Sequence, residues 1–270
     1  MGVPVFPPPG AARVLAAAAL FLCGVLTGCR LATLTFQSSR QATSARIVIP
    51  AAGALLSFPP TIRRLHINVG PNYSPITPPG DDPAAGVLAV EAQLEVASVL
   101  RERFARAHAD RFFVISAALA GEQHVGFRSL NMYNHKGQSS SLAVAKADRP
   151  WSADGKETRI GRGVEFVPVL SLGRLLHAIP ADISIPLLKT DTQGFDLAII
   201  KSADRAALRR VDRVLAEVYG INKNYELPDG VVNGLDAWVP HMERMGFMLV
   251  NESNPGGGES DALFERVGDA

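Results

Sequence analysis

Past residue 29 the chain has no cysteine: its only two, Cys23 and Cys29, lie near the start. A disulfide framework and a cysteine-based zinc site are thereby excluded from everything downstream. An excess of one charge is also missing, since 27 basic residues face 26 acidic ones for a formal net charge of +1. Nucleic acid is therefore not an expected partner, because a polyanion usually demands a basic patch or stripe. The Arg209-Arg210…Arg213 group reads as a solvated helix end. Three catalytic signatures are absent as well: the Gly-x-x-x-x-Gly-Lys-Ser/Thr phosphate loop, the Gly-x-Ser-x-Gly nucleophile elbow and the His-Glu-x-x-His zinc helix. The chain shows no internal repeat.

One long apolar run is present, at residues 14–28, VLAAAALFLCGVLTG, after Arg13. It is short beside the roughly 20 residues that cross a bilayer core, which suits a signal-peptide core; joined to 31–36 across Arg30 it suits a signal anchor instead. Leu26-Thr27-Gly28-Cys29 also has the form of a bacterial lipoprotein cleavage box, and a buried N-terminal helix is the remaining reading. The expectation is a signal peptide or signal anchor over 1–36, a Ser-, Ala-, Thr- and Pro-rich linker over 37–62 and one folded domain over 63–270. Such a chain would enter the secretory pathway or be held at a membrane, touching it only through this N-terminal segment.

From Arg63 onward short β-rich runs alternate with helical patterns, the signature of a mostly parallel sheet covered by helices. Strands are expected at 64–69, 87–91, 111–116, 122–130, 164–170, 185–190 and 213–218, with two more at 246–251 and 261–267 around a Gly-rich turn. Helices are expected at 92–108, 171–178, 195–209 and 232–245, the last bent or interrupted by Pro240. Residues 70–83 hold too many prolines and turn formers for a long helix. The stretch from about 131 to 162 is a long loop, of the kind that is usually functional or disordered.

The most informative segment is IPLLKTDTQGFDLAIIKSA, residues 185–203, where an apolar strand runs into Asp191 and then into a helix. In open α/β sheets ligands bind at the carboxyl ends of strands, so Asp191 is placed for chemistry. Two further strand ends point the same way. The first strand closes on Asn68, Gly70 and Asn72, where a glycine lets backbone approach a ligand; a plain strand-to-loop turn is the competing reading. The second closes on Glu91, a carboxylate suited to both hydroxyls of a ribose or, alternatively, to capping the next helix. Lys189, Gln193 and Glu217 belong to the same group of strand ends. His135 on the long loop is a second candidate base after Asp191, because imidazole titrates near neutrality.

Lys189-Thr190-Asp191-Thr192-Gln193-Gly194-Phe195-Asp196 resembles the Lys-x-Asp-x-Glu-Gly-x-Glu segment of the FkbM-type S-adenosylmethionine-dependent methyltransferases, with Gln193 and Asp196 in the two Glu positions. The likeness spans roughly residues 64–267. It implies a Rossmann-like class I methyltransferase fold: a mostly parallel seven-stranded sheet, helices on both faces and a C-terminal antiparallel hairpin. It also implies S-adenosylmethionine as cofactor. The family's Asp-x-Gly-Ala-Asn turn corresponds to Asn68, Gly70 and Asn72 and would cradle the methionine part, with Asn68 and Pro71 departing from the pattern. Glu91 would take the ribose. Ala117 and Ala118, in Ser116-Ala117-Ala118-Leu119, would border the adenine, and Gln138-Ser139-Ser140-Ser141-Leu142 resembles a Ser-Ser-Leu feature above the site. The catalytic candidates are Asp191, Lys189 and His135, with no metal ligands assigned. The reaction implied is methyl transfer to a hydroxyl of a sugar or small metabolite. The losses at Asn68, Pro71 and Gln193 favour the alternative, a catalytically degenerate binding protein on the same fold. A nicotinamide-dependent oxidoreductase is disfavoured, since the first turn lacks Gly-x-Gly-x-x-Gly.

Overall fold

The computed structural model describes residues 55–133, 139–146, 161–219, 225–255 and 258–268. Its centre is a sheet whose strands alternate their side chains between two apolar layers. In β2 (Ala85–Glu91), Leu88 and Val90 join the larger core while Val87 and Ala89 join a smaller one. In β3 (Phe112–Ser116), Phe113 and Ile115 face the larger core and Phe112 and Val114 the smaller. The smaller core is closed by Val96, Ala97 and Leu100 of helix α1 (Leu94–Leu100). The larger one contains Leu172, Leu175 and Leu176 of α2 (Leu172–Ala178), together with Leu65, Ile67 and Val69 of β1 (Arg64–Val69). Helices therefore cover both faces.

A short β4 (Ala118–Leu119), β5 (Gly126–Tyr133), β6 (Val144–Ala145) and β7 (Gly161–Leu170) precede the remaining strands of the main sheet. These are β8 (Leu188–Thr190), β9 (Arg213–Tyr219), β11 (Phe247–Glu252) and β12 (Glu259–Arg266), with β10 (Tyr225–Glu226) set apart. The seven-stranded order is β11-β12-β9-β8-β1-β2-β3. Strands β3, β2, β1, β8 and β9 run parallel; β12 is antiparallel to β9, and β11 to β12. This is the class I methyltransferase arrangement, with its terminal antiparallel hairpin. The order reverses between β1 and β8, and that switch point opens the ligand crevice.

Several elements differ from the sequence expectation for local reasons. The strands expected at 122–130 and 164–170 do not enter the main sheet; they are β5 and β7 of a separate sheet ordered β4-β7-β5, and a 3₁₀ turn, Glu122–His124, precedes β5. Strand β8 is shorter than 185–190 because Pro186 has no N–H for the ladder, leaving isolated bridges at Ser184 and Ile185. The helix expected over 195–209 divides into α3 (Asp196–Lys201) and α4 (Arg205–Leu208), with Asp204 capping the second by accepting from the Ala207 amide at 2.6 Å. Helix α5 (Leu235–Arg244) runs through Pro240 without interruption. Arg210 is no solvated end: it donates to the carbonyls of Leu176, Ile179, Pro180 and Ile183, the last at 2.7 Å. Residues ahead of Arg63 pack on the domain, Ile62 being buried and Phe58 meeting Phe113 edge to face.

The expectations of a signal segment, a membrane anchor and membrane contact are corrected. Among the described residues no helix is long and apolar enough to cross a membrane. Both α5 and the continuous helical run from Leu94 to His108 fall short of the roughly 20 apolar residues needed. The segment that carried those expectations, residues 1–36 with Cys29, lies outside the described residues.

Candidate functional site

Strand β1 ends in a turn that tolerates no side chain at Gly70. Its φ is +69°, and a Cβ there would lie 1.9 Å from the backbone oxygen of Asp191. The glycine is thus required by the close passage of β8, which brings the Asp191 backbone against the turn. Asn72 follows in a left-handed conformation, φ 48°, and its amide donates to Glu91 Oε2 at 3.1 Å. Asn68 points elsewhere: it is 1 % exposed, its Oδ1 accepts from the Ile76 amide at 2.9 Å, and it does not line the cavity described below. It fastens the 70–76 loop.

Glu91 ends β2 almost fully buried, with Oε1 accepting from the Gln93 amide at 2.8 Å. Burial pushes its carboxyl up to about 7, against the pull of the Gln93, Asn72 and Ala92 amides. Each oxygen keeps a lone pair for a ligand hydroxyl. Beside it the chain leaves β3 as Ala117-Ala118-Leu119, the Ala117 amide donating to the Glu91 carbonyl at 3.0 Å. Small side chains here leave a flat apolar wall.

On the other side of the switch point, Lys189 is half-buried on β8 and Asp191 follows the strand. Burial raises the Asp191 carboxyl, while a Gln193 hydrogen bond and the Lys189 charge oppose that rise. Gln193 sits at φ 58° with its side chain between two acids: Nε2 lies 3.1 Å from Asp191 Oδ1 and 3.0 Å from Glu217 Oε1. The Tyr225 hydroxyl is 2.9 Å from Gln193 Oε1 and 2.7 Å from the Ser139 carbonyl. Ser141 Oγ donates to the Gln193 carbonyl at 3.0 Å.

Asp196 takes no part in lining the cavity. Fully buried at the start of α3, it accepts from the Thr192 amide at 3.0 Å and the Gly194 amide at 3.4 Å, and so shapes the turn after Asp191. Burial first, then the Asp191 charge, pushes it up to about 7. Asn233 locks the same turn from α5's side, accepting from the Leu197 amide and Trp238 Nε1, both at 3.0 Å, and donating to the Glu217 carbonyl at 3.0 Å.

These strand ends enclose one cavity of about 310 Å³. Glu91, Ala117 and Ala118 line it from the ends of β2 and β3, Lys189, Asp191 and Gln193 from the end of β8, and Gly70 and Asn72 from the β1 turn between them. Leu130, Ser140, Ser141, Leu142 and Phe195 complete the wall. Of the residues singled out in the sequence, Asn68, Ser139 and Glu217 do not line the cavity, and His135 and Gln138 lie outside the described residues. Tyr225, Asn233, Leu130 and Phe195 were not singled out. A lone Tyr or Asn after a strand carries no motif, and Leu130 and Phe195 read as ordinary apolar positions. The arrangement offers a buried carboxylate for a diol, an apolar wall for a flat ring and, across the cavity, a carboxylate beside an ammonium.

A family model described as Methyltransferase FkbM domain matches residues 79–249. That match begins after the Gly70 turn and ends in β11. No curated protein matches in sequence. Among solved structures, a TehB-like SAM-dependent methyltransferase from Corynebacterium glutamicum is 10% identical with a TM-score of 0.36, covering 76% of this chain and 82% of its own. Magnesium protoporphyrin IX methyltransferase from Synechocystis, solved with bound SAH, is 6% identical with a TM-score of 0.38, covering 77% and 76%. A putative RNA methyltransferase from Pyrococcus horikoshii is 9% identical with a TM-score of 0.35, covering 78% and 76%. Overlap of this size says nothing of substrate.

Proposed function

Because this chain belongs to the FkbM methyltransferase domain family, we propose that it transfers a methyl group from S-adenosylmethionine to a hydroxyl of a sugar or small metabolite. The observation that carries this reading is the single cavity that Glu91 and Asp191 line from opposite sides. The residues present fit the cofactor. Glu91 supplies a buried carboxylate for the ribose hydroxyls, Ala117 and Ala118 a wall for adenine, and the Gly70–Asn72 turn a backbone cradle for the methionine end. A cavity of about 310 Å³ lies at the lower end of ordinary ligand sites.

When bound, the cofactor supplies a methyl group already activated on a sulfonium sulfur. The protein's work is then alignment and exclusion of water. Asp191 would accept the acceptor hydroxyl's proton; with the carbon–sulfur bond broken and its electron pair left on sulfur, the products would be a neutral methyl ether, a neutral thioether and a protonated Asp191 carboxyl. Lys189 favours the ionised Asp191 before the step, its charge opposing the effect of burial. Leu130, Leu142 and Phe195 supply the apolar wall that keeps water from the reacting atoms.

Calorimetry with S-adenosylhomocysteine, followed by transfer of a labelled methyl group from S-adenosylmethionine to a panel of sugars and small alcohols, tests this. Binding plus a labelled ether supports it. No heat of binding to intact folded protein would end the methyltransferase reading, and binding without label on any acceptor would favour the binding-protein alternative.

A further inference from the structure

We propose that Gln193 is a positioning residue for Asp191: its amide nitrogen clamps the Asp191 and Glu217 carboxyls side by side, and Tyr225 holds the amide the right way round. This rests on the reading above, in which Asp191 receives the acceptor's proton.

An amide nitrogen carries two hydrogens. Here Nε2 has one carboxyl oxygen at 3.1 Å and another at 3.0 Å, so both hydrogens are used. The remaining atom, Oε1, faces the Tyr225 hydroxyl at 2.9 Å, which shares its one hydrogen between that oxygen and the Ser139 carbonyl at 2.7 Å. Rotating the amide by half a turn would set its oxygen against the Asp191 carboxyl and remove the donor from the member that ionises first, so this environment assigns the orientation. The backbone aims the side chain. Gln193 adopts φ 58°, uncommon for a residue with a Cβ, and Ser141 pins its carbonyl at 3.0 Å.

Gln193 stands where the family pattern has Glu, and its surroundings explain what the amide does there. Lys189 on β8 faces Asp191. Glu217 and Tyr219 on β9, Asp196 on α3, Glu259 and Asp261 on β12 and Tyr225 on β10 make up the other titratable neighbours of the pair. A Glu at 193 would add another acid to this group; the amide adds two donors and no charge. Burial pushes Glu217 well up, with Asp191, Asp196, Glu259 and Asp261 adding to it, which favours its protonated form. Its Oε2 is the oxygen without a partner among the described residues. Asp191, with Lys189 and the Gln193 hydrogen bond on its side, is the member that ionises first.

The test is a carboxyl-carbon NMR titration of the full chain without ligand, in wild type, Gln193→Leu and Tyr225→Phe. The Asp191 midpoint is expected to rise by about one pH unit in Gln193→Leu, with a smaller rise in Tyr225→Phe. On an acceptor found by the label screen, the acid limb of methyl transfer should move up by the same amount. Unmoved Asp191 midpoints in folded variants would overturn the proposal, as would a moved midpoint with an unmoved acid limb. If Gln193→Leu does not fold, Tyr225→Phe, which deletes a single hydroxyl, decides alone. Failure of wild-type protein to bind S-adenosylhomocysteine is a separate outcome: it removes the methyl-transfer reading while the titration still reports whether Gln193 controls Asp191.

Discussion

Gly70 and Asp191 sit so close that the backbone oxygen of one lies 1.9 Å from where a Cβ on the other would be. The turn after β1 and the turn after β8 are therefore one structural unit, and both halves of the cavity hang on it. Gly70→Ala would force a left-handed conformation costing about 1–2 kcal/mol and, in addition, push the Asp191 backbone aside. Urea denaturation should show a loss of at least about 1–2 kcal/mol, accompanied by weakened S-adenosylhomocysteine binding. A variant with wild-type stability and binding would show that the two turns are not coupled.

Glu91 gives a pH dependence with a defined sign. Its free carboxyl is pushed up to about 7, and the ribose hydroxyls are expected to bind its ionised form. Affinity for S-adenosylhomocysteine should fall as pH drops through that value, approaching tenfold per unit well below it. Glu91→Gln should bind more weakly at pH 8 and lose most of the pH dependence between 5 and 8. An unchanged profile in Glu91→Gln would assign the titration to another group.

The same shift predicts how stability varies with pH. Glu91 ionises near 4.5 when unfolded and near 7 when folded and ligand-free. Between those values the folded state holds the extra proton, so its contribution to stability is fully present below about 4.5 and is lost as pH rises through about 7. The loss amounts to about 3 kcal/mol. Denaturation midpoints of the ligand-free protein should be compared with those of Glu91→Gln, whose curve should decline less over this window. Parallel curves would contradict the prediction.

Strand ends were legible in the sequence because apolar runs and the residues closing them are local. Glu91, Asp191 and Gly70 could each be singled out from a few neighbours, and the seven-stranded order follows from the family resemblance carried by residues 189–196. What was not legible depends on contacts between distant segments. Asn68 looked like part of the cofactor turn but bonds to Ile76, because alternation along β1 sends it to the opposite face from Ile67 and Val69. Gln193 looked like a lost carboxylate, yet its meaning depends on Glu217 and Tyr225, 24 and 32 residues away. The separate sheet of β5 and β7 was equally hidden, since β-rich composition does not say which sheet a strand joins.

Asp191→Asn preserves shape and removes the base. Its methyl-transfer rate should fall by about 10²–10⁴-fold on any hydroxyl acceptor, while S-adenosylhomocysteine affinity stays within about threefold of wild type. The comparison is between kcat and the calorimetric Kd. A variant that loses binding as much as rate would move Asp191 from the acceptor side to the cofactor side of the cavity.

Asn233 is a buried polar group away from the cavity wall whose removal should cost substantial stability. It is 0 % exposed, and its oxygen receives both the Leu197 amide at the start of α3 and Trp238 Nε1 in α5, while its nitrogen donates to the Glu217 carbonyl. Asn233→Ala would leave the indole N–H and a backbone amide without an acceptor inside the core, each such loss costing about 1–3 kcal/mol. A total near 3 kcal/mol is expected, and Asn233→Asp should recover little of it, since its second carboxyl oxygen would face the Glu217 carbonyl and the buried Asp196 carboxyl, both acceptors of the Asn233 amide. Urea midpoints measure this directly. Because Asn233 also fixes the strand end that carries Glu217, the Glu217 carboxyl-carbon signal should shift in Asn233→Ala even under conditions where the variant is fully folded. A full loss of stability with an unmoved Glu217 signal would mean that Asn233 holds α5 in place without setting the geometry of the acids.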